Sequence, residues 1–113
     1  MSTAAAAPVP SIDPKSFKRF ADFYPFYLGE HSNATCRRLH FAGSSLVLGC
    51  VVAALVTRNA WLLAMTPVAG YGFAWIGHFF FEHNRPATFT YPLYSLRGDW
   101  VMWKDMLIGR IRW

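Results

Sequence analysis

Two apolar runs, Phe41–Thr57 and Trp61–Phe81, are separated only by Arg58, Asn59 and Ala60. A link that short between two long helices permits little except an antiparallel return. About 20 apolar residues cross a bilayer, with a working range of roughly 17–25. The second run meets that length up to His78. The first sits at the short end, where tilt or local thinning compensates. The expected fold is therefore all-α: a membrane helical hairpin of two transmembrane helices, spanning about 41–57 and 61–81, flanked by amphipathic surface helices. A soluble bundle with two buried helices fits the same runs less well. Hydrophobic residues make up 54% of the chain and charged ones 15%, against roughly a quarter charged in ordinary soluble domains. The apolar residues are also blocked rather than spread.

Charge adds an orientation. The net charge is +5. Lys15, Lys18, Arg19, Arg37, Arg38, Arg85, Arg97, Lys104, Arg110 and Arg112 all flank the apolar runs on one side, with Arg58 alone at the tip. This positive-inside pattern predicts a multi-pass protein with both termini cytoplasmic. It points to anionic lipid head groups rather than nucleic acid as the partner. Cys36 and Cys50 make neither a disulfide framework nor a metal-type pair. Residues 1–12, Ala- and Pro-rich without a basic start, read as a disordered tail rather than a signal peptide. Residues 13–113 read as one membrane-embedded helical domain.

Asp13-Pro14 suits a helix start. Phe20, Tyr24, Tyr27 and His31 then follow on one face of a surface helix. Pro25 predicts a kink or break in it, and Gly29 its end. Ser32 or Asn33 caps the next helix. Gly43, Ser44, Ser45, Gly49, Ala53 and Ala54 face Ala69, Gly70, Gly72, Ala74 and Gly77 of the return helix, so tight packing is expected. Pro67 predicts a kink in the return helix. Pro86 and Pro92 predict an extended or irregular Thr88–Ser95. Gly98-Asp99 reads as a turn and cap before a second amphipathic helix carrying Trp100, Trp103, Leu107 and Ile111. That helix rests either on lipid or on protein.

The hairpin places chemistry at one end. His40 precedes the first run; His78, Glu82 and His83 close the second. An antiparallel pair brings them to one depth, with His31 and Glu30 nearby, and no histidine lies at the other end. Imidazoles and a carboxylate so gathered suggest a metal site. His78 and Glu82, four apart on a helix, share a face and can offer one nitrogen and one oxygen. Glu82 can instead orient a ligand histidine or pair with Arg85. His83 reads as surface. Histidine nitrogens with a carboxylate and open positions suit non-haem iron(II) and oxygen; zinc also tolerates them. The haem-attachment, phosphate-loop and nucleophile-elbow motifs are absent.

The stretches Phe23-Tyr24-Pro25-Phe26-Tyr27-Leu28-Gly29-Glu30-His31, Asn33, Arg37-Arg38-Leu39-His40 and Gly77-His78-Phe79-Phe80-Phe81-Glu82-His83-Asn84-Arg85-Pro86-Ala87-Thr88 resemble the 2-hydroxy fatty acid dioxygenase family. These are small membrane proteins whose characterised member is a fungal endoplasmic-reticulum enzyme of phytosphingosine breakdown. The similarity runs from about Phe17 to the C-terminus and is of the short, bacterial type, which implies an inner-membrane location. It implies Fe(2+)-dependent α-oxidation: a 2-hydroxy fatty acid and dioxygen give carbon dioxide and a fatty acid one carbon shorter. The family's pattern carries over onto His31, His40 and His78, with Glu82 at the acidic position. The shorter chain implies a reduced pocket or one completed by forming a homo-oligomer. Arg37, Arg38 and Arg85 are candidates to pair with the substrate carboxylate. The competing readings are a non-enzymatic membrane scaffold or lipid-binding protein, and a zinc- or haem-binding membrane component.

Overall fold

The computed structural model describes residues 17–113. The expected tail and the Asp13-Pro14 helix start lie outside the described residues. Among these residues there are four α-helices and no strand: α1 (Phe20–Gly29), α2 (Ala34–Thr57), α3 (Trp61–Ile76) and α4 (Pro92–Leu107). A π-helical turn, Gly77–Glu82, extends α3, and a 3-10 turn, Ala87–Phe89, precedes α4.

The hairpin forms as its short link demands. Arg58 ends α2 in the left-handed conformation, φ 57°. The Asn59 side-chain oxygen then accepts the Trp61 N–H at 3.1 Å, so the next helix starts within the turn. Close packing of α2 and α3 comes from particular glycines, not from the whole stripe. A Cβ at Gly43 would stand 2.9 Å from the Ala69 carbonyl and the Phe73 Cβ, and one at Gly77 would stand 2.9 Å from Cys36 Sγ. Gly49 and Gly72 face open space.

Pro25 and Pro67 both lie inside unbroken helices. Pro67 removes the N–H that would bond the Leu63 carbonyl, and the Thr66 hydroxyl donates to that carbonyl instead, at 2.8 Å. Pro25 lies within α1, which continues to Gly29. Pro25 and Ala21 are both exposed, so the freed carbonyl faces outward.

Only α2 among the described helices is long and apolar enough by itself to cross a membrane: 24 residues with a mean hydropathy of 2.1 in its best window. Its partner changes to π-helix after 16 residues, about 24 Å of rise.

The second amphipathic helix begins earlier than its sequence suggests. Pro92 occupies its first turn, where a missing N–H costs nothing. Gly98 and Asp99 thus lie inside α4, not at its start. Gly98 is there for contact: a Cβ would stand 2.9 Å from the Tyr27 ring. α4 rests on protein. Met102 and Met106 bury against Phe23 and Tyr27 of α1, Tyr24 donates to Asp105 at 2.8 Å, and the Trp103 indole N–H donates to Ser45 at 3.0 Å. The aromatic face of α1 is therefore the core of this layer.

Adding one methyl separates the contact glycines from the idle ones. Gly43→Ala forces Ala69 and Phe73 apart and lowers thermal stability by about 1–3 kcal/mol. Gly49→Ala meets open space and gains up to about 1 kcal/mol of helix propensity. Paired thermal melts in detergent are expected to show opposite signs.

Candidate metal centre

Three elements meet at the open end of the hairpin, and each contributes one histidine. His31 follows α1, His40 lies in the second turn of α2, and His78 lies in the π-turn. All three are buried, at 1%, 5% and 2% exposure. Their rings pack edge to face with centroids 4.4–4.9 Å apart, and one ligand nitrogen from each lies within 4.8 Å of the others.

The hydrogen bonds fix which nitrogens are free. His31 Nδ1 lies 2.6 Å from the Tyr27 carbonyl. His40 Nδ1 lies 2.9 Å from the Cys36 carbonyl, and His78 Nδ1 lies 2.6 Å from the Asn84 side-chain oxygen. A carbonyl oxygen only accepts, so each Nδ1 carries the proton and donates. Each Nε2 then presents a lone pair. Yet His31 Nε2 and His40 Nε2 are 3.1 Å apart. Two buried lone pairs that close repel unless a cation sits against both. Zinc–imidazole bonds run about 2.0–2.1 Å, so two neighbouring ligand nitrogens of one ion stand roughly 3 Å apart. The donor set therefore fits a metal ion, and the Nδ1 bonds to oxygen are the orienting bonds that ligand histidines characteristically make. The cavity among the three rings, about 20 Å³, has room for a single small occupant.

Burial, then the neighbouring His40 and His78, hold the His31 imidazole well below its ordinary 6.5, so it stays neutral. Its ring stacks on Tyr27 with centroids 4.0 Å apart, and the Arg37 guanidinium donates to the His31 and Ser32 carbonyls at 3.0 and 2.8 Å. The α1–α2 turn is thereby held at both the ring and the backbone.

Glu82 is placed elsewhere. Its carboxylate accepts the Asn33 backbone N–H and the Ser32 hydroxyl. It sits at the N-terminus of α2, where a negative charge is favoured, beside the Asn33 side chain that caps that helix. The cause is the π-turn. The His78 carbonyl accepts from His83, five residues on, so the i,i+4 alignment of an α-helix is lost and His78 and Glu82 diverge. His83 is exposed, with φ 58°, as its surface reading expects. The three arginines are also occupied: Arg37 on the backbone carbonyls of His31 and Ser32, Arg38 on the Trp113 carbonyl at 3.1 Å, and Arg85 over the Phe89 ring at 4.9 Å.

Three supporting residues escaped the sequence reading. Asn84 orients His78 and donates to Glu30, at 2.6 Å to the carboxylate and 3.0 Å to the carbonyl. Tyr27 carries the His31 bond. Asp99, on α4, accepts the Tyr27 hydroxyl and lines the same cavity as the three histidines. Burial pushes the Asp99 carboxyl up to about 7, against the opposing pull of the Tyr27 hydrogen bond. Helical spacing put Tyr27 on the face of His31 without assigning it this bond, and gave no signal for Asn84 or Asp99.

Two measurements follow from this geometry. Cobalt(II) added to the purified protein is expected to give a visible ligand-field spectrum at one ion per chain. His31→Ala, His40→Ala and His78→Ala should each abolish it, whereas Glu82→Gln and His83→Ala keep it. Because the folded Asp99 titrates above its ordinary 3.8, it costs the fold nothing at low pH. Its cost grows as pH rises from 3.8 to about 7. Asp99→Asn, which still accepts from Tyr27, should therefore raise the melting temperature of the metal-free protein at pH 8 and leave it nearly unchanged at pH 4.

The model of one protein family, described as 2-hydroxy-palmitic acid dioxygenase Mpo1-like, matches residues 17–111, a span that holds all three histidines and their orienting partners. No curated protein and no solved structure matches the chain. With nearly its whole described length matched, this chain belongs to the Mpo1-like family.

Proposed function

We propose that this protein is an iron(II)-dependent dioxygenase of 2-hydroxy fatty acids, embedded in a membrane as a two-span hairpin with both termini on the cytoplasmic side. The observation that carries the chemistry is the 3.1 Å approach of two unprotonated Nε2 atoms whose Nδ1 protons are already committed. The family description supplies the substrate class. The membrane reading rests on the apolar residues that the hairpin leaves outside. Val56 is 77% exposed, Val68 64% and Phe80 69%, a belt larger than a soluble monomer usually carries. The basic residues gathered at the histidine end give the orientation.

The overall reaction is R–CH(OH)–COOH + O₂ → R–COOH + CO₂ + H₂O. The bond between C1 and C2 breaks, C2 is oxidised to the new carboxyl, and dioxygen is reduced. His31, His40 and His78 would hold iron(II), which when bound would supply dioxygen activation and a positive charge for an α-hydroxy carboxylate. The chain's residues do the rest. Tyr27, Cys36 and Asn84 lock the three tautomers, so the nitrogens stay unprotonated and aimed inward. Being neutral, the three imidazoles would leave the charge of a bound cation undiminished for an anionic head group. The aromatic layer of Phe23, Tyr27, Tyr91 and Tyr94 limits water above the site. Asp99 and Tyr27 hold a hydrogen-bonded proton at its edge.

The test is anaerobic loading with iron(II), then oxygen and 2-hydroxypalmitate, with mass spectrometry of the products. The expected products are pentadecanoic acid and carbon dioxide in equal amounts, requiring about one iron per chain. His40→Ala and His78→Ala should fall below about one-hundredth of the wild-type rate. Protein that binds iron yet yields no shortened acid with any 2-hydroxy acid would leave a lipid-binding scaffold as the reading.

A further inference from the structure

A second cavity, of about 210 Å³, lies between α2, α3 and α4. At one end stand His40 and Asp99. Beyond them its walls are mainly apolar: Val47, Pro67, Gly70, Leu96 and Trp100. His40, Tyr71, Ala74 and Asp99 line both this space and the small cavity at the histidines, so the two adjoin. The larger groove beside Trp103, about 570 Å³, touches none of the three histidines.

We infer that the space between α2, α3 and α4 receives the hydrocarbon tail of a 2-hydroxy fatty acid, running from His40 and Ala74 towards Val47, Thr66 and Pro67. This rests on the activity proposed above and adds the tail's course and its length limit. The amphiphilic shape is the argument. His40 and the hydrogen-bonding Asp99 stand at one end, next to the cavity that holds the other two histidines, and a mainly apolar passage leads away from them along the hairpin. From His40 to Val47 on α2, and from Ala74 to Thr66 on α3, the passage covers about 10–12 Å. An extended carbon chain advances about 1.2 Å per bond, so on the order of nine carbons lie inside. α2 and α3 approach closely beside this passage: a Cβ at Gly70 would stand 3.3 Å from Val47 Cγ2. Trp100 and Leu96 make the α4 wall, and Leu96 is half exposed, so longer tails leave sideways into lipid.

Photolabelling tests this without turnover. A 2-hydroxypalmitate analogue with a mid-chain diazirine is irradiated with the full-length protein in lipid nanodiscs, and labelled residues are located by mass spectrometry. Labels on Val47, Leu96 or Trp100 that excess 2-hydroxypalmitate removes support the assignment. Labels confined to outward residues such as Leu55, Val68 and Phe80, unaffected by competitor, overturn it. Val47→Phe supplies a second readout. Its turnover of sixteen-carbon relative to eight-carbon 2-hydroxy acids should fall about tenfold or more, and an unchanged ratio overturns the length limit. Competed labels without any shortened product would sink the proposed reaction and keep the tail site. Product formation with labels only outside would do the reverse.

Discussion

The arrangement turns on a conflict among three imidazoles. Each is buried, each has its Nδ1 proton spent on an oxygen, and two of the remaining lone pairs face each other at 3.1 Å. A buried polar atom without a partner costs roughly 1–3 kcal/mol, and two facing lone pairs add repulsion. The protein accepts this at the place where α1, α2 and the π-turn converge. A cation between the rings turns the same geometry into a favourable one. Binding energy of that kind would also be folding energy, because an ion there would tie together three segments joined otherwise by turns and aromatic packing.

Several features exist to hold that convergence. Gly77 lets the start of the π-turn press against Cys36, one helical turn before His40. Glu82 fastens the end of the same turn to the α2 N-terminus, and Asn84 fastens the following residues to Glu30. A π-turn is a costly local choice, found mostly where function requires it. Here it shifts the register between His78 and the residues after it. The imidazole points to the centre while the carboxylate four residues on reaches a different helix.

That shift explains what the sequence could and could not disclose. The hairpin was legible because a three-residue link and two apolar runs leave few alternatives, and it brought His40 and His78 to one level by topology alone. His31 joined them because α1 ends close to the start of α2. Glu82 misled, since i,i+4 reasoning assumes an α-helix and nothing in Gly77–Glu82 announces the wider turn. Gly98-Asp99 misled in another way. A glycine followed by an acid is ordinary turn chemistry, whereas here the glycine admits the Tyr27 ring and the acid accepts its hydroxyl. Those roles arise from contact between α1 and α4, about seventy residues apart, and no local pattern carries such information.

The two ends of the site are consequences of the same topology. A hairpin in lipid is apolar outside and needs no polar group inside, so three imidazoles tolerate burial only where a second layer satisfies their outer nitrogens. Tyr27 of α1 does this for His31 and Asn84, after the π-turn, for His78, while the Cys36 carbonyl of α2 itself serves His40. α4 then crosses the hairpin, closing the histidines from water with Asp99 while its other apolar residues, Leu93 and Leu96, stay open to the surroundings. The result is a polar centre reached along an apolar route. In the proposed function, an amphiphile entering from a bilayer would meet these environments in the order of its own structure, tail against the helices and acid head against the nitrogens. A water-soluble hydroxy acid finds the nitrogens but gains nothing from the route. In the proposed function, selectivity for a lipid acid would follow from where the histidines sit on the hairpin, before any contact with the head group is considered.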